Sequence, residues 1–198
     1  MDRTFEKYRS GRGWILLGGL LLLTLTGCDV FSPREPEPPI GDGGSYVQPD
    51  TPDQVIENME TAISTLSTSN YRRLFASNFT FRPTPTALAR EQIWSGWGRT
   101  EEDRYFTSLA SALLPGGSHE LDLDDATLSV ASESRYIYEA SYVLMVQHSR
   151  QDVPRAVSGR LVWVLTQESD GLWYISEWTD QEIENSFSWS DLKAAFYK

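Results

Sequence analysis

The apolar residues of this chain change period once. From Val55 to Leu66 they recur at helical spacing, at Val55, Ile56, Met59, Ala62, Ile63 and Leu66, so that one face of a helix is apolar. From Tyr136 to His148 they alternate instead, which puts Tyr136, Tyr138, Ala140, Tyr142, Leu144 and Val146 on one face of a strand. Pro115-Gly116-Gly117 marks the changeover. Helices first and strands second predict an α+β fold, with the helices packed on one face of a curved antiparallel sheet.

Local signals fill in this frame. Thr51-Pro52-Asp53-Gln54 reads as a helix start: a capping Thr, Pro at the first helical position, an acid against the dipole, and Gln three residues after the cap. Ser69-Asn70 restarts a short helix through Tyr71, Leu74 and Phe75, and Phe79-Thr80-Phe81 predicts a short strand ended by Pro83 and Pro85. Thr100-Glu101-Glu102-Asp103 caps a third helix with the face Tyr105, Phe106, Leu109, Ala112 and Leu113. Leu121 and Leu123 alternate with acids in a further strand. Val157 to Gln167 turns at Asp170-Gly171 into Leu172 to Thr179, a hairpin signal. Trp189 to Phe196 reads as a last short helix that caps the fold or packs behind the sheet. Residues 51–198 are a normal length for one domain with one core.

Ahead of that domain the chain has another character. Residues 1–27 carry Arg3, Lys7, Arg9 and Arg12, then an almost wholly apolar run from Trp14 to Leu25. That run is shorter than the roughly 20 residues a membrane-spanning helix needs, and the arrangement is that of an export signal. Leu25-Thr26-Gly27-Cys28 resembles the bacterial lipobox at all four positions. The resemblance implies cleavage before Cys28, lipid on its thiol and new amino group, and a domain tethered to a membrane of the bacterial cell envelope outside the cytoplasm, with inner and outer membrane both open. Residues 28–50, rich in Pro, Gly and acids, read as a flexible linker. Cys28 is the chain's only cysteine, so no internal disulfide can form.

Loss of the leader takes four basic and two acidic residues from totals of 17 and 28, leaving 13 and 26. So acidic a surface repels phosphate backbones, which excludes nucleic acid as a partner. No Cys or His cluster could hold a metal, and no cofactor motif occurs. Glu120, Asp122, Asp124 and Asp125 lack the sixth-position Gly and twelfth-position Glu of an EF-hand loop, where Asp125 and Ala131 stand. Ser190-Asp191-Leu192-Lys193 has the Ser-x-x-Lys spacing of penicillin-binding enzymes but none of their other motifs, so it predicts a capping Ser190 and a solvent-facing Lys193.

Thr51 to Phe81 and Leu161 to Asp180, above all Leu172-Trp173-Tyr174-Ile175-Ser176-Glu177-Trp178, resemble the nuclear transport factor 2-like superfamily, which includes ketosteroid isomerase and the polyketide cyclases. The resemblance implies a sheet wrapped with helices into a cone with a pocket at its open end, and dimers formed through the sheet. On that cone Trp94, Trp97, Phe106, Tyr138 and Tyr142 are the candidates to line a pocket for a flat apolar ligand, or else to fill it as core. Enzymes of the superfamily use an Asp or His in the cone as proton carrier. His148, in phase with the tyrosine face, is the candidate here, and His119 stands at another strand's mouth among acids. Two functions remain: a non-catalytic lipoprotein whose domain binds a small apolar ligand, a protein partner or a second copy, and a metal-independent acid–base isomerase, cyclase or dehydratase. An enclosed ionisable group in an open pocket favours the enzyme, and a filled cone favours binding.

Overall fold

A computed structural model describes residues 45–183 and 186–198, all within one compact unit spanning Gly41–Lys198. The leader, Cys28 and most of the linker lie outside the described residues. Among those described, no helix is long and apolar enough to cross a membrane.

The elements run α1 (Pro52–Thr65), α2 (Thr68–Arg73), β1 (Phe75–Arg82), α3 (Pro85–Arg90), α4 (Arg99–Ser111), β2 (Glu120–Ser132), β3 (Arg135–Met145), β4 (Ala156–Gln167), β5 (Trp173–Glu182) and α5 (Trp189–Tyr197). The Gln54 side chain accepts the Asp50 and Thr51 N–H groups at 2.7 and 3.3 Å, so α1 begins where its sequence signal stands. Its buried face holds Val55, Met59, Ala62 and Ile63. Asn58 is buried beside them because its amide exchanges two hydrogen bonds with the Val47 backbone, at 3.0 and 2.6 Å, and so pins the entering chain.

α3 has no counterpart in the sequence reading, which ended a strand at Pro83 and Pro85. Thr84 caps it, accepting the Ala87 N–H at 3.2 Å, with Pro85 in the first turn. This repeats the Thr-Pro start of α1 on six residues, too few to show an apolar period.

The five strands are ordered β1-β5-β4-β3-β2. The β2–β3, β3–β4 and β4–β5 pairs are antiparallel, as expected from the alternation, but β1 joins β5 in parallel, so the curved sheet is mixed. β1, which precedes α4 in the chain, thus lies at the sheet edge beside the last strand. Register stacks Tyr138, Trp163, Trp178 and Phe81 as one cross-strand row on the concave face. Gly159 sits opposite Tyr142, where an added Cβ would lie 2.6 Å from the tyrosine oxygen and 2.6 Å from the Gln181 carbonyl. A side chain there would push Tyr142 off the sheet.

Candidate functional site

α5 does not pack behind the sheet. It enters the concave side, packed on α4 and β4, and buries Trp189, Ser190, Leu192, Lys193, Ala194 and Phe196. Trp189 meets Trp178 and Tyr142 edge-on, at centroid distances of 4.6 and 5.4 Å, and its indole N–H donates to the Tyr105 hydroxyl at 3.0 Å.

Two polar clusters hold this helix. At its first turn Asp180 of β5 accepts the Ser190 N–H at 2.7 Å, the Ser190 hydroxyl at 2.6 Å and the Tyr142 hydroxyl at 2.8 Å. A buried carboxylate thus meets unpaired N–H groups at the positive end of a helix dipole. The Tyr142 oxygen in turn accepts the Trp189 N–H at 2.7 Å. Burial pushes the Asp180 carboxyl above its ordinary range, against those hydrogen bonds, and pushes the Tyr142 phenol well up.

One turn on, the Lys193 ammonium donates to both oxygens of Glu102 on α4, each at 2.6 Å, and neither side chain has any exposure. Glu102 also accepts the Tyr71 hydroxyl at 2.6 Å and the Trp97 indole N–H at 2.8 Å. The ammonium lies 3.7 Å from the ring centroids of both Phe81 and Trp178. Burial pulls the Lys193 pKa down to about 8 while the Glu102 charge pulls it up. The Tyr71 and Tyr105 phenols are raised by burial, with the Glu102 charge adding to it.

The solvent-facing Lys193 of the sequence reading is therefore corrected, and so is the capping Ser190. Ser188 is the cap, accepting the Asp191 N–H at 3.3 Å, and Ser190 and Lys193 both point inward. A lysine inside the apolar run Leu192 to Phe196, in a chain whose domain has only Lys193 and Lys198, was the available signal.

The five aromatic candidates are all buried in the core around these clusters: Trp94 and Trp97 tilt on Phe81, Phe106 stacks on Tyr71 at 3.7 Å, and Tyr138 lies on Trp163. His148 is fully buried. Its Nε2 lies 3.2 Å from the Pro154 carbonyl, its ring meets Phe196 of α5 edge-on, and its Nδ1 has no partner. His119 is half-buried, its Nδ1 accepts the Gln147 N–H at 3.2 Å, and burial lowers its pKa. A cleft of about 180 Å³ beside α5 is lined by residues including Arg90, Asp152, Val153 and Phe187, with Asp191 and Ala195 of α5 itself. No group of three or more His, Cys, Asp or Glu among the described residues is placed to hold a metal ion.

No family model and no curated protein matches this sequence. Solved structures do resemble the domain. A candidate aromatic ring hydroxylase of Novosphingobium aromaticivorans aligns with a TM-score of 0.53 at 15% identity, over 71% of this chain and 92% of its own. A candidate scytalone dehydratase of the same organism aligns at 0.53 and 9% identity, over 66% and 81%. A nuclear transport factor 2-like protein of unknown function in nutrient uptake from Rhodospirillum rubrum aligns at 0.50 and 15% identity, over 65% and 95%. At such identities the likeness shows the fold alone, and the fold is nuclear transport factor 2-like.

Proposed function

We propose that this protein is a lipid-anchored domain of the bacterial cell envelope that works without catalysis, through its outer sheet face. The observation that carries the reading is α5 seated on the concave side with Lys193 on Glu102. Glu102 and Asp180 are the enclosed acids that an acid–base enzyme of this fold would use, yet each is engaged by α5. An acid held by the chain's own lysine or helix terminus is not poised to move a substrate proton.

The opposite face of the sheet has no helix over it among the described residues. Ile137, Val162 and Val164 lie there at half burial, with Val143 and Met145 exposed at 43% and 39%. Arg160 pairs with Glu139 at 3.5 Å, and Arg135 and Arg82 reach Glu177 at 2.8 and 3.5 Å. On β1, β3, β4 and β5 this face carries three arginines against Glu139 and Glu177, while Glu120, Asp122 and Asp124 of β2, in register with Met145, Val143 and Ser141, make its β2 edge acidic. Over the middle of the face each acid is paired with an arginine beside half-buried and exposed apolar side chains, and a second copy seated there with the acidic β2 edge turned outward meets no unpaired like charge, so we take the second copy as the partner.

Native mass spectrometry of the domain tests this reading. A dimer with no adduct is expected, and Val164→Arg should return it to a monomer. A small molecule retained in stoichiometric amount would overturn the reading, and so would a monomer at concentrations of roughly tens of micromolar. The anchor is tested separately. Cys28→Ser should leave an uncleaved precursor that takes up no labelled fatty acid, and normal processing of that variant would refute lipidation.

A further inference from the structure

We infer that the interior of this domain is a binding site for a primary alkylammonium ion, a site that the chain fills with its own Lys193. The walls come from elements other than the one that supplies the cation. Glu102 stands on α4, Tyr71 on α2, Phe81 on β1, Trp178 on β5 and Trp97 in the turn before α4, while α5 contributes Lys193. The carboxylate is fixed by the Tyr71 and Trp97 donors, and the two rings are fixed by the register that sets Phe81 beside Trp178. The carboxylate and the rings are thus placed by elements other than α5, which packs Trp189 on Trp178 and Tyr197 on Trp97 beside them.

Its chemistry selects among cations. Two N–H groups of the ammonium go to the two carboxylate oxygens at 2.6 Å, and the ion sits 3.7 Å from two aromatic faces, with Tyr105 and Trp97 behind at 5.6 and 5.9 Å. Aromatic faces with a carboxylate are a recognised way of binding organic ammonium ions. The two short hydrogen bonds require N–H donors, which excludes a quaternary ammonium. Packing alone does not explain the arrangement, because a well-packed apolar pair in place of a buried ion pair is commonly neutral or stabilising. This inference stands on the inner face and does not rest on the outer-face reading above.

The test uses the full chain with Lys193→Ala, which removes a propylammonium-sized group and leaves α5 in place. At tenfold its dissociation constant, n-propylammonium should raise the thermal midpoint of this variant by about 3 °C or more. n-Propanol, equal in heavy atoms, and tetramethylammonium should give clearly smaller shifts, and the wild-type chain should not respond to the amine. In Glu102→Gln/Lys193→Ala the preference for the amine should vanish. If Lys193→Ala is unfolded by itself, the same comparison is read as recovery of near-ultraviolet circular dichroism. Equal effects of amine and alcohol, equal effects of primary and quaternary ammonium, or a preference that survives Glu102→Gln would each overturn the inference.

Discussion

Lys193→Met should cost about 3–5 kcal/mol of unfolding free energy in urea, the scale for removing one partner of a buried ion pair. Met keeps the length and flexibility of the side chain, so little of the loss comes from packing. The loss comes from Glu102, which keeps the Tyr71 and Trp97 hydrogen bonds but has no cation to offset the burial of its charge. Glu102→Gln/Lys193→Met should be clearly more stable than the sum of its single variants predicts, because the neutral amide can accept the Trp97 N–H on its oxygen and donate from its NH2 to the Tyr71 oxygen, and no charge remains buried. Costs that simply add would show that the two side chains act independently.

Alkali should unfold the domain steeply. The Tyr71, Tyr105 and Tyr142 phenols are raised above the ordinary value of 10.0 by burial, with Glu102 or Asp180 beside them adding to the rise. In the unfolded chain they ionise near pH 10, while in the folded domain they keep their protons. Above that pH the unfolded state binds fewer protons than the folded one, so stability falls by about 1.4 kcal/mol per tyrosine per pH unit, about 4 kcal/mol per unit for the three. Lys193 acts in the opposite sense: with its folded pKa pulled down to about 8, it adds stability as pH rises from there toward its unfolded value. The urea midpoint should therefore hold or rise up to about pH 10 and drop sharply beyond it. Tyrosinate absorbance that appeared near pH 10 with the domain still folded would contradict the burial of these phenols.

The elements with a long period were legible in the sequence. α1 and the β3–β5 meander stand where their apolar spacing and turns placed them, α4 forms on its apolar face but is capped at Gly98, whose N–H donates to Glu101, and not at Thr100, and Gly171 takes the left-handed turn (φ 82°) that Asp170-Gly171 announced. α3 was hidden because six residues are too short to show a period. The parallel β1–β5 pair was hidden because strand alternation carries no information about which distant strand becomes a neighbour. The polar clusters inside the fold were hidden for a related reason. Glu102 lies in the acidic first turn of α4, where surface acids are expected on dipole grounds, and Asp180 stands in β5 in phase with Trp178, one position beyond Thr179, where the sequence reading ended the strand. The side-chain volume of the aromatic candidates could not show that they are buried in the core with α5 packed among them.

The chain order of these partners sets when folding can finish. β1 waits for β5 to pair with it, and Glu102 waits for a lysine 91 positions further on. A polypeptide made from its N-terminus therefore emerges with its acids, aromatic row and first strand in place but without the segment that closes the core. The native interior is withheld until Lys193 and the rest of α5 have been made.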